Sequence, residues 1–419
     1  MATTSLTPTD DPASDAAGLL LRVGLAVLGV AVPVAMPWSR RAIFILVPVG
    51  AAIVLLAGLL MSNVPIRRRL AAAVFSPAAA CGLALIGWVA LSLLWSPVAS
   101  LGVERMAKSA GTLLLAAAAI AFLPERTRTS NLNLFPLGIL GAAVVTLALV
   151  ASGQALLVPQ DTDSTLERAV VTMVVLVWPA LAAMAIRGRW AAAAIVVVAV
   201  VAAGMAAWST SALVALAIGA LGFTVSTGNP LRVGRALGIA AAALIVLGPA
   251  VPFLVALLLK GAGALVVSAQ PVLQPAADAM RAWADLVVAE PDRLVTGHGL
   301  GLATYAPTVG FLPADTPRSL LFELWYDFGL VGAVLTAILV RLAFDVVARL
   351  SPTVAPFLIA ELLSLLAVVV LGLATTQLWW LTLGGVALLS FATVLRGEYR
   401  TVRPLARLEP QVAPLPRGS

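Results

Sequence analysis

Residues Ile43 to Met61 read IFILVPVGAAIVLLAGLLM, nineteen positions with no charge, hydroxyl or amide among their side chains. An α-helix rises ~1.5 Å per residue, so a run of this length crosses a hydrocarbon core of ~30 Å as one helix. Inside lipid the main chain must satisfy its own hydrogen bonds, and a helix does so within a single segment. The run therefore reads as a membrane span.

Similar runs lie on both sides of it. Before it comes Gly18 to Met36. After it come Ala79 to Trp95, Ala107 to Leu123, Leu134 to Leu157, Ala169 to Ile186, Ala191 to Trp208, Ala212 to Val225 (the shortest), Ala236 to Leu259, Leu320 to Leu342, Val354 to Leu373 and Leu378 to Val394. The expectation is an all-α integral membrane protein with about 12 transmembrane helices. Composition agrees: 61% of the 419 residues are hydrophobic and 11% are charged, against roughly half and a quarter in a soluble domain.

The net charge of +7 does not point to nucleic acid, because the arginines stand in short clusters between apolar runs, where they signal topology. With the N-terminus placed in the cytoplasm, sixteen arginines fall inside, among them Arg67 to Arg69 and five from Arg396 onward, and nine basic residues fall outside. The bias puts both termini in the cytoplasm and favours an even number of spans. Segments 1–17 and 395–419 read as a polar disordered tail, without the basic start of a signal peptide, and a basic tail on anionic headgroups. Spans fill 18–259 and 320–394. Cys81 stands alone, so no intramolecular disulfide forms, and with one histidine, His298, a Cys/His metal cluster is excluded. No cofactor motif is present.

The remaining segment, 260–319, is about sixty residues long and falls on the outer side. Ordered loops of this length are often functional, though a cap that only packs is the plainer alternative. It holds an amphipathic stretch, Ala276 to Ala289, with Met280, Trp283, Leu286 and Val287 at helical spacing. Pro291 and a glycine-rich turn, Gly297-His298-Gly299, follow. Arg168, Arg281 and Arg318 stand at span ends or in this loop. A guanidinium offers a planar fork of donors that fits phosphate oxygens, although each arginine singly also fits a headgroup contact. Glu290, Asp292, Asp315, Glu323, Asp327 and His298 are candidates for a general base. Glu361, mid-span, needs a partner or a wet cavity; Arg22 and Gln377 are possible partners.

Several of these segments resemble the O-antigen ligase and polymerase family. MRAWADLVVAEPDRLVTGHGLG, Met280 to Gly301, resembles its Arg-x-aromatic, Pro and Gly-x-Gly series through Arg281, Trp283, Pro291, Gly297 and Gly299. RSLLFELWYDFGLVGAV resembles a second hallmark through Ser319, Gly329 and Gly332. LSLLWSPVAS resembles a Ser-x-x-Trp-Ser-Pro segment through Ser92, Trp95, Ser96 and Pro97. Arg168 resembles the arginine that begins a central span, and Ser209 to Ser211 the span that usually reads Ser-Arg. Two positions depart: Arg318 stands where the family has a His implicated in catalysis, and Ala212 where it has an Arg.

The resemblance implies a C-type glycosyltransferase-like fold with a large ordered periplasmic loop, in a bacterial inner membrane. It implies a polyprenyl-diphosphate-linked glycan donor, a glycan or lipid-linked sugar acceptor, and no metal. Arg168, Arg281 and Arg318 would hold the lipid diphosphate; His298, Arg318, Glu323 and Asp327 would form the catalytic set. Trp283, Pro291, Gly297, Gly299, Gly329 and Gly332 would shape the loop. Ligase and polymerase differ in their acceptor, and the missing His leans toward a polymerase or a divergent exopolysaccharide enzyme. A transporter or flippase-like permease and a catalytically inactive scaffold of a polysaccharide assembly complex remain alternatives.

Overall fold

The computed structural model describes residues 12–39, 41–61, 76–125, 127–153, 162–261, 264–313, 316–371 and 377–398. Those residues form helices joined by turns, with no strand among them. The first helix, α1 (Pro12–Ala26), runs through a π-turn at Val27–Ala31 into α2 (Val32–Ala35). Next come α3 (Ala42–Leu60), α4 (Pro77–Ser92), α5 (Ala99–Phe122), α6 (Leu134–Ala151), α7 (Thr162–Ala185), α8 (Trp190–Ala206), α9 (Thr210–Ser226) and α10 (Pro230–Val246). Then follow α11 (Val251–Gly261), α12 (Ala264–Ala289), α13 (Arg293–Thr296) and α14 (Leu302–Val309). The chain closes with α15 (Leu320–Val347), α16 (Ala355–Leu371) and α17 (Gln377–Glu398).

By length and composition, seven segments among the described residues can cross a bilayer: Asp15–Ala35, Ala42–Leu60, Ala99–Phe122, Thr129–Ala151, Thr165–Ala185, Leu320–Val347 and Trp379–Gly397. Pro230–Val246 and Gly248–Leu258 form an eighth if the bent pair is one span. Helices α4, α8, α9 and α16 are apolar but shorter. This is a multi-pass, all-α membrane protein.

Burial separates α7 from the rest. In its most apolar window 94% of residues are buried, against 17% to 61% in the other six. A helix apolar on every side and enclosed on every side is the pillar of a bundle, and the others turn one face to lipid. Helices in lipid gain little from hydrophobicity against one another and associate through close packing of small residues. Helix α9 packs on α16 in this way: a Cβ at Gly219 would lie 2.1 Å from Ser364 Oγ, and that hydroxyl accepts Trp178 Nε1 at 2.9 Å from α7.

The structure corrects three sequence expectations and extends a fourth. The polar N-terminal stretch becomes helical from Pro12, and Asp15 pairs with Arg128 at 3.8 Å. The run Ala236 to Leu259 is bent by 68° between α10 and α11. Pro249 lacks the N–H that would meet the Ile245 carbonyl one turn earlier; Trp325 Nε1 donates to that carbonyl instead, at 2.8 Å. The amphipathic stretch Ala276 to Ala289 is the second half of a longer helix, α12. Arg105, Lys108 and Arg341, counted among the basic residues that set the topology, sit within α5 and α15 and not between helices. Segments 1–11 and 399–419, and Asp315, lie outside the described residues.

Candidate functional site

The site is built on a break in α15. Gly329 has φ +60° and ψ −157°, a conformation that an L side chain adopts only with strain. A Cβ there would also lie 2.6 Å from the Val295 carbonyl oxygen. In an unbroken helix the carbonyls of Tyr326, Asp327 and Phe328 would accept from residues 330, 331 and 332. Buried carbonyls need partners, and here each finds one elsewhere. The Tyr326 carbonyl accepts the His298 amide at 2.8 Å, and that of Asp327 accepts the Gly299 amide at 3.0 Å. The Phe328 carbonyl accepts Trp88 Nε1 at 2.9 Å, from α4.

The glycine-rich turn is thus bonded onto the break. Gly297 has φ +70°, and a Cβ on it would stand 2.3 Å from the Asp327 carbonyl oxygen, so only glycine brings the two chains this close. The buried Asp327 carboxylate accepts the Gly301 amide at 2.8 Å and the Ala303 amide at 2.9 Å. These N–H groups open α14 and have no partner within that helix, so the carboxylate caps it from a distant element. On the other side, Ser92 Oγ accepts the Leu300 amide at 3.2 Å, and Ser96 Oγ donates to the Leu300 carbonyl at 3.2 Å. The segment 297–301 is held between α15 and the α4–α5 corner.

His298 projects from this turn and stacks on Tyr326, with ring centroids 4.0 Å apart. Its Nδ1 lies 3.0 Å from the Tyr326 carbonyl oxygen and its Nε2 faces Glu290 Oε2. Both ring nitrogens are engaged, and the Glu290 side chain remains half exposed. Tyr326 stacks in turn on Phe322, which meets Trp283 edge to face at 5.5 Å. Trp283, buried, is the anchor that ties α12 to α15. The crevice between Trp283, Glu290, Arg293, His298 and Tyr326 has a volume of about 30 Å³, little more than one water.

The expected site residues therefore separate. His298, Asp327, Gly297, Gly299, Gly329 and Trp283 meet at the clamp. Pro291 is exposed in the turn before α13, and Gly332 packs on Phe328. Glu323 is buried opposite Arg105, with the Arg105 Nη2 at 4.0 Å. Ser319 caps α15 through the Phe322 amide, leaving Arg318 exposed just before it. Arg281 is exposed, pairs with Asp278 at 3.1 Å, and shares a hollow of about 290 Å³ with Lys260. Arg168 sits over the Trp379 ring at 5.8 Å. Asp327 thus holds the turn in place and is a positioning residue. Among the described residues no group of His, Cys, Asp and Glu is arranged to hold a metal.

Comparison with family models, curated proteins and solved structures finds no match for this chain.

Sequence reasoning passed over Arg105 and Arg293. Arg105 had a signal. Glu104 and Lys108 pair across one helical turn, whereas Arg105 has Leu101, Gly102, Lys108 and Ser109 three and four residues away, and no carboxylate. An arginine in an apolar helix without such a partner seeks one in another element, and it finds Thr304 at 2.7 Å. Arg293 carried no comparable signal.

Proposed function

We propose that the chain transfers or polymerises a polyprenyl-diphosphate-linked glycan onto a sugar acceptor at the outer face of a bacterial inner membrane, as an O-antigen ligase- or polymerase-like enzyme of surface polysaccharide biosynthesis. One observation carries the reading: the segments around Ser92–Ser96, Gly297–Gly301 and Asp327–Gly329 share one hydrogen-bonded clamp. They are scattered over 238 positions of the sequence, and they are among the segments on which the resemblance rests. The bent pair α10–α11 and the four shorter apolar helices would complete twelve spans with both termini in the cytoplasm.

In the proposed reaction the acceptor hydroxyl attacks the anomeric carbon. The bond from that carbon to the diphosphate oxygen breaks, and the electron pair leaves with the diphosphate. The hydroxyl proton passes to a carboxylate. Glu290 is the best placed, because it is half exposed beside the glycine turn, while the Asp327 carboxylate caps α14 and Glu323 is buried opposite Arg105. The Arg281 guanidinium offsets charge gathering on the leaving group.

A second reading has its own support. Glu361 in α16 is buried, and neither carboxylate oxygen has a hydrogen-bond partner among the described residues. Arg22 is exposed and does not reach it, and the Gln377 side chain lies outside the described residues. A mid-span acid and a broken helix are features of transporters. The deciding experiment is a surface-polysaccharide profile of a deletion strain, complemented with wild type or Arg281→Ala at equal membrane levels. Loss of chain length or attachment that only wild type restores supports transfer. An unchanged profile in the deletion strain overturns it.

A further inference from the structure

We propose that the apolar cavity between α4, α5, α15 and α17 seats the first part of one prenyl chain, and that Arg105 at its polar end binds the phosphate attached to that chain. The inference rests on the transferase reading and names where the donor lipid lies. The cavity has a volume of about 220 Å³. Sites for whole drug-sized ligands run to ~300–1,000 Å³, so this one fits a stretch of a single chain, not a two-chain phospholipid body. Its walls include Leu85, Val89, Ala110, Leu324 and Phe328, and its rim includes Ile86 and Leu113, which face outward between α4 and α5. A chain can therefore enter sideways from the bilayer.

Arg105 is the one cationic side chain in that lining. A guanidinium carries five N–H donors. Among the described residues Arg105 makes one side-chain hydrogen bond, to Thr304 Oγ1 at 2.7 Å, and its nearest carboxylate, Glu323, stands off at 4.0 Å. Arg105 lines the cavity, and phosphate oxygens form short charge-assisted bonds with such a fork. Thr304 lies in α14, the helix capped by Asp327, and Leu300 of the glycine turn also lines the cavity. A chain seated here brings its phosphate to the clamp.

The test uses the full-length protein in nanodiscs of neutral phospholipid, with geranylgeranyl diphosphate and geranylgeraniol as probes. Arg105→Gln is expected to weaken the diphosphate by roughly 10- to 100-fold, the scale of a lost bond to a charged group, and the alcohol little. Ala110→Phe, which fills the cavity, is expected to weaken both alike. A thermal melt confirms that each variant is folded, and Arg105→Lys, which keeps the charge, is expected to recover part of the binding. No binding by wild type, wild-type affinity in both Arg105→Gln and Ala110→Phe, or displacement of the probe by phosphatidylglycerol overturns the seat. If these variants bind normally while deletion still alters the glycan, the seat fails and the transferase reading stands. If binding responds as expected but deletion leaves every glycan unchanged, the seat stands and the transferase reading fails.

Discussion

The carboxylate of Asp327 accepts the amide of Gly301 at 2.8 Å, both groups being buried. The contact joins the helix that re-enters the membrane to the turn that closes the outer segment. Asp327→Asn keeps the shape but turns an amide NH2 toward an N–H donor. It is expected to lower stability by about 1–3 kcal/mol, read as a fall in the melting temperature of the detergent-purified protein. An unchanged melt with lost activity would mean that Asp327 acts on substrate directly.

Gly329→Ala tests the break itself. The alanine meets an unfavourable φ costing about 1–3 kcal/mol, and its Cβ collides with the Val295 carbonyl. The expected result is faster proteolytic cleavage between residues 290 and 300 without loss of membrane insertion. Cleavage at the wild-type rate would show that the turn holds without the break.

Trp325→Phe removes the indole N–H that donates to the Ile245 carbonyl beside Pro249. Loss of that hydrogen bond is expected to cost about 0.5–1.5 kcal/mol. Pro249→Ala restores a main-chain N–H at the position that a continuous helix uses, so the double variant is expected to recover part of the lost stability. A strictly additive double variant would show that the indole is only filling space.

Arg281→Ala separates function from stability. Its side chain is exposed and bonds an aspartate one turn away on its own helix, an arrangement worth little. The melting temperature is expected to stay within about 0.5 kcal/mol of wild type in stability terms, while glycan transfer falls. Loss of both would make Arg281 a packing residue.

Glu361→Leu replaces a buried carboxyl that has no hydrogen-bond partner among the described residues with an apolar group of similar size. Removing a buried polar group that has no hydrogen bond is expected to raise stability by about 1–3 kcal/mol. Glu361→Gln is expected to leave the glycan profile unchanged if the chain is a transferase. A glycan defect in that variant, together with a transport defect, would favour the transporter reading.

Much of this was legible in the sequence because lipid imposes a one-dimensional rule. A helix in hydrocarbon needs roughly twenty apolar residues in a row, so runs such as Ile43 to Met61 announce themselves without knowledge of their neighbours. The same rule set the segment 260–319 apart by interruption, and Trp283, Gly297 and Gly299 stood out within it. The sequence by itself determined that the chain is helical and that it lives in a membrane. Which buried groups meet was decided only by the tertiary structure. The break at Gly329 frees three carbonyls whose partners come from His298, Gly299 and Trp88, and nothing in local spacing couples those positions. Arg105 and Glu323 face each other across two helices that are 218 residues apart in sequence. A buried polar group is satisfied by whatever folding brings within about 3 Å, and that distance exists only in three dimensions.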